Sequence, residues 1–232
     1  MTKLTKLTND IFSFLSALAV NNNREWFLDN KKDYEQAKNE ANGFFQAVYD
    51  KISEKDYLGP IKIYCIYNDL RFAKDKPPYK THFGLYFPRL QPHYRGGYYL
   101  HLSPEGSFVG GGFFNPEAKD LLRIRQEIAM EPEAFSQIMT SAPMVKYFAG
   151  QLFGDEVKTA PKGFSKDDPM IAYLRKKQFL LKRDFAPEAV LGDSFFEEVV
   201  ASFLAIRPFY DFMTRALTTD LNGESLFWLV TF

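Results

Sequence analysis

The hydrophobic period changes twice along this chain, and that restricts the fold more than any other feature of the sequence. Residues 9–20 set Ile11, Phe12, Leu15, Leu18 and Ala19 on one helical face, with Thr8 or Asn9 able to cap the start. Asn21-Asn22-Asn23 is a turn, and Asn23 is placed to cap a second helix opening Arg24-Glu25-Trp26-Phe27. After a break near Asn30, steps of three and four residues from Tyr34 through Ala41, Phe45 and Ile52 predict a long helix to about Ser53. Gly59-Pro60 stops it. The next fifty residues are strand-like. The runs 61–67, 83–87, 98–102 and 107–113 are rich in Val, Ile, Tyr and Phe, and the last two flank Ser103-Pro104-Glu105-Gly106, a hairpin signal.

Helical spacing then returns. Asn115-Pro116 reads as a cap and first helical position before Leu121, Leu122, Ile124 and Ile128. Shorter helices are expected at 132–141 and 143–153, a strand at 158–164, another at 178–182, and a last helix from about Ser194 to Ala205 that continues past Pro208 to Leu217. Helices at both ends with strands between predict an α+β fold: an N-terminal helical pair, a central antiparallel sheet of four or more strands, and C-terminal helices. No repeat or linker divides the chain, so residues 1–232 are read as a single domain.

Charge narrows where function lies. The whole chain is neutral, with 29 Lys and Arg against 29 Asp and Glu, so no overall field attracts nucleic acid or an acidic membrane. Residues 61–101 nevertheless hold seven Lys and Arg against two Asp and Glu, a net +5, while the segments before and after are slightly acidic. A single cysteine, Cys65, excludes an intrachain disulfide and a four-cysteine zinc site. No run approaches eighteen apolar residues, so no membrane span is expected and a cytoplasmic location is the default.

The basic island centres on residues 68–82, where Pro77-Pro78 forbids regular structure. Arg71, Lys74, Lys76 and Lys80 suit phosphate or carboxylate, and Tyr79 adds a hydroxyl donor. Asp69 and His101 are the acid–base candidates. The competing reading of the cluster is a solvated loop, of Asp69 and Asp75 salt-bridge partners, and of His101 a hydrogen-bonded sheet histidine. His82, His93 and His101 fall within twenty residues, but their spacing matches no metal signature, and none is assigned. Gly110-Gly111-Gly112 is not a dinucleotide fingerprint, no Walker loop or nucleophile elbow occurs, and the cofactor is left unknown. The expected partner is a small anionic ligand, with phosphorylated molecules among the candidates. The alternatives are nucleic acid, with phosphate contacts from the basic island and stacking on Tyr64, Tyr67, Tyr79, Tyr98 and Tyr99, and a purely structural or protein-interaction role.

Several blocks resemble the domain-of-unknown-function family 2461, conserved hypothetical proteins of bacteria and fungi. They are Asn21 to Phe27, Asp69 to Thr81, Gly97 to Leu102, Gly110 to Arg125, and Pro161-Lys162-Gly163-Phe164. The resemblance implies a shared polar loop and no established chemistry. The family commonly carries arginine where Cys65 and Asn68 stand here, which implies weaker or different anion binding if those arginines hold a ligand.

Overall fold

The computed structural model describes residues 5–71 and 75–227. The chain opens with α1 (Asn9–Val20), α2 (Arg24–Asp29) and α3 (Lys31–Ser53). The Thr8 hydroxyl caps α1 by accepting from the Asp10 N–H, and the Asn23 side chain caps α2 by accepting from the Trp26 N–H. On α1 the buried residues are Ile11, Phe14, Leu15 and Leu18. Phe14, rather than Phe12 or Ala19, completes that face and packs on Trp26 and Tyr34 of the next two helices.

Five strands form one antiparallel sheet in sequence order: β1 (Lys62–Ile63), β2 (Phe83–Pro88), β3 (Gly97–Leu102), β4 (Ser107–Phe113) and β5 (Phe179–Phe185). Between β4 and β5 come α4 (Ala118–Met130), α5 (Pro132–Met139), α6 (Ala142–Phe148) and α7 (Ile171–Leu174). After β5 come α8 (Pro187–Val190) and α9 (Phe195–Thr218). The fold is α+β. The inner sheet face, with Leu85, Phe87, Tyr98, Leu100, Val109, Phe179 and Leu181, packs under α3 and α9 as part of one buried cluster. α9 continues unbroken through Pro208. Proline costs a helix one hydrogen bond and a ring clash, but Phe203, Ile206, Phe209, Tyr210 and Met213 anchor both sides of it in the core.

Three expectations shift. The strand over 61–67 shortens to two residues, because the chain leaves β2 after Tyr64 and pairs with residues 78–80 instead: Lys80 N–H donates to Ile66 O (2.7 Å) and Asn68 N–H to Pro78 O (2.9 Å). Residues 158–164 form turns, not a strand, interrupted by Pro161 and by Gly163 at φ 91°. α4 starts at Ala118, because the Asn115 side chain accepts from Gln178 instead of capping a helix. The glycine run does serve close packing. A Cβ on Gly111 would lie 2.0 Å from the Tyr210 hydroxyl, so β4 meets α9 only through glycine at that point.

The core also encloses a charge. Arg89, at the end of β2, is 1% exposed. Its guanidinium donates to Asp56 Oδ1 from Nε (3.0 Å) and Nη2 (2.9 Å), to Asp211 (2.5 Å) and to the Thr214 hydroxyl (3.2 Å). The Tyr98 hydroxyl donates to the other Asp56 oxygen at 2.5 Å. Burial opposes the charge on Arg89, but the carboxylates of Asp56 and Asp211 more than offset it and hold the guanidinium protonated above its ordinary range. Removing one partner of such a pair strands the other, at a cost of about 3–5 kcal/mol. Arg89→Met should therefore destabilise the protein by about that much in urea denaturation, and Asp56→Asn with Arg89→Met should recover most of the loss.

Candidate functional site

The loop that carries the basic cluster is closed at its base. Tyr67 bridges Tyr79, and the Asn68 amide donates to Pro77 O (2.9 Å). From the helical side the Asn22 amide grips Tyr79 at both backbone groups, donating to its carbonyl (2.9 Å) and accepting from its N–H (3.0 Å). The Phe27 ring stacks on the Tyr79 ring with centroids 4.0 Å apart and planes 12° from parallel. The turn before α2 and the base of the loop, 57 residues apart in sequence, are thereby fastened together.

The candidate residues take different places. Arg71 bonds Asp69 through Nη2 (2.7 Å) and Nε (3.0 Å), and this pairing pulls the Asp69 carboxyl below its usual range. Both are exposed on the loop, as is Lys76. Lys74 lies outside the described residues. Lys80 turns inward, its ammonium donating to the carbonyls of Cys65 (2.5 Å) and Tyr67 (3.0 Å). Tyr79 is buried, and burial raises its pKa. Of the tyrosines named for stacking, Tyr98 is wholly in the core.

What the fastening creates is a groove between the start of α2–α3 and residues 63–70. Its first hollow, about 340 Å³, is walled by Phe27, Tyr67, Asn68 and Tyr79, with Arg24 and Lys31 at its edge. A second, about 460 Å³, continues along α3 past Lys31, Tyr34, Lys38 and Asn42, facing Cys65. Lys31 and Tyr67 border both. Neither Arg24 nor Lys31 has a carboxylate partner among the described residues. The Tyr34 pKa is pushed up to about 12, chiefly by burial and then by the neighbouring Cys65.

The family model for conserved hypothetical proteins, DUF2461, matches residues 10–212. The chain belongs to the DUF2461 family. No curated protein and no solved structure matches it. Two of the DUF2461 blocks, Asn21 to Phe27 and Asp69 to Thr81, are the segments that Asn22 and Phe27 join to Tyr79. Asn68 lines the first hollow and Cys65 the second. Arg24 and Lys31 were absent from the residues singled out in the sequence. The signal available was Arg24 inside the first family block, but nothing local shows which way a helix-start arginine turns.

His101 lies apart from the groove, on the outer face of the sheet. Its ring centroid is 4.3 Å from that of His82 and 4.7 Å from Phe108, and its Nδ1 pairs with the Tyr99 hydroxyl at 3.2 Å. His93 is elsewhere, against Phe227. Among the described residues no three His, Cys, Asp or Glu side chains are grouped to hold a metal ion. Burial, then His82 and Lys182, push the His101 pKa down to about 4, and burial, then Lys80, lowers that of His82. Unfolded histidine titrates near 6.5, so the unfolded chain binds more protons between those two values. The stabilisation from neutral His101 is complete above about pH 6.5 and is lost as pH falls towards about 4. Denaturation midpoints measured from pH 7 to 4 should fall across that window, and His101→Gln should flatten the fall.

Proposed function

We propose that the protein binds a small anionic ligand, phosphate- or carboxylate-bearing, in the first hollow of the groove, with Arg24 and Lys31 as its cations. The observation that carries this reading is two cations without carboxylate partners at the rim of a hollow walled by Phe27, Tyr67 and Tyr79. Aromatic walls with a few directed polar groups are the usual make-up of small-ligand sites. The loop bases are secondary in this reading. Arg71 is spent on Asp69 and Lys80 on backbone carbonyls, leaving exposed Lys76 to add long-range attraction. Neither Asp69 nor His101 lines either hollow, so the proposed role is binding, not acid–base catalysis.

Among the described residues no helix is long and apolar enough to cross a membrane. We assign the protein to the cytoplasm because its lone cysteine, Cys65, is an exposed free thiol, the form reducing compartments keep.

Thermal-shift and calorimetric titration with inorganic phosphate, citrate and a nucleoside monophosphate, in about 50 mM salt to limit screening, test the reading. At least one anion should stabilise the fold. Arg24→Ala should weaken it roughly tenfold to a hundredfold, as loss of a charge-assisted hydrogen bond does. Asn68→Arg should strengthen it. Absence of stabilisation by every anion at millimolar concentration, or an unchanged affinity in Arg24→Ala, defeats the proposal.

A further inference from the structure

We infer that the groove as a whole docks an extended acidic peptide, which adds as a strand to the free edge of β1. This rests on the reading of the groove as a binding site and names the class of partner.

The edge itself is the first observation. Tyr64 N–H donates to Gly84 O at 2.9 Å, in the register that pairs Lys62 with Tyr86 and Ile63 with Leu85. In an antiparallel ladder the residues exchanging bonds alternate, so Ile63 is a non-bonded position whose N–H and C=O point away from β2. Beyond it, Cys65 O is occupied by the Lys80 ammonium, and the Cys65 N–H has no partner among the described residues. Ile63 is 37% exposed and, with Cys65, lines the second hollow against α3.

The opposite edge of the same sheet is treated differently. Leu180 of β5 exchanges both backbone hydrogen bonds with Phe153, at 2.7 and 3.1 Å, and Val157 N–H donates to Arg175 O at 2.8 Å. At its start the β5 edge is covered by the chain's own 153–157 segment, whereas the β1 edge opens into a groove.

Two features of the helical wall match a peptide. The Asn42 Oδ1 is buried without a hydrogen-bond partner, an acceptor in want of an N–H. Lys31 and Lys38 are seven residues apart on α3, a rise of about 10 Å, which lies between the spans of two and of four residues of an extended chain whose alternate side chains face one wall. Glu35, the acid on that wall, is taken by Lys38 at 3.2 Å. The wall is net basic and the facing edge offers main-chain groups, the combination that strand-addition sites use for affinity and selection.

The test is fluorescence anisotropy in about 50 mM salt, with a labelled pool of acetylated hexapeptides alternating glutamate with valine, isoleucine or threonine. Inorganic phosphate is titrated in parallel. The acidic pool should bind at least about tenfold more tightly than the same pool with glutamine for glutamate. Binding should slow hydrogen exchange at the Ile63 and Cys65 amides. Ile63→Pro removes the outward N–H without touching the β2 ladder, as proline can at an edge. It should weaken the peptides at least about tenfold and leave phosphate binding unchanged. Peptide binding without protection at Ile63 and Cys65, or equal peptide binding by an Ile63→Pro protein of normal circular dichroism, overturns the inference. Phosphate binding with no peptide binding overturns it too and leaves the small-anion reading standing. Failure of both ligands removes both.

Discussion

A buried charge holds one end of the frame around the groove. Arg89 joins the segment after α3, through Asp56, to the end of β2 and to α9. A buried arginine tolerates few arrangements, since each lost partner leaves an uncompensated charge in a medium that solvates it poorly. That intolerance fixes where the chain turns from α3 into β1. At the other end Asn22 and Phe27 fix Tyr79, and with it the base of the basic loop. The helix and the edge strand are pinned at both ends and stay apart between them, leaving the two hollows.

The same economy explains what became of the basic island. A net +5 over residues 61–101 reads as a cationic surface, yet much of it is engaged by the chain's own acceptors. Arg71 pairs with Asp69, Lys80 caps two carbonyls, Arg89 is in the core, and Arg95 pairs with Asp120 at 2.6 Å. The cations that face the groove come instead from Arg24, Lys31 and Lys38, in the segment that is net acidic by composition. Charge counted along the chain is not charge presented in space.

What was legible in the sequence is what short-range physics decides. The Asn23 cap, the break at Asn30, the hairpin at 103–106 and the four main strands follow from capping, periodicity and turn chemistry. The losses are long-range. β1 is short because Lys80 and residues 78–80 capture the chain after Tyr64, and Asn115 does not cap because Gln178 reaches it across 63 residues. Arg89 stands beside Pro88 in what reads as a loop, and nothing local reveals that Asp56 and Asp211 arrive to bury it. Within the site, the polar loop was visible as a block. The inward turn of Lys80 rests on the carbonyls of Cys65 and Tyr67, and the burial of Tyr79 on Asn22 and Phe27, contacts that no local pattern reveals.

Cys65 and Asn68 acquire a physical meaning only with the groove in place. Cys65 and Asn68 stand on its strand-side wall, opposite the α3 lysines. Arginine at both positions would line both walls with cations, suiting a compact, multiply charged ligand held from two sides. With cysteine and asparagine there, positive charge remains on the helix wall alone, and the strand wall offers backbone and a small thiol. An uncharged edge with free main-chain groups is an aggregation liability unless it is short, flanked by lysine or enclosed. β1 is two residues long, carries Lys62, follows Pro60 and faces α3 across the groove. These features limit the exposed edge to a short stretch that faces the helix. With Cys65 and Asn68 on its strand-side wall, the groove carries its positive charge on the helix side, facing β1.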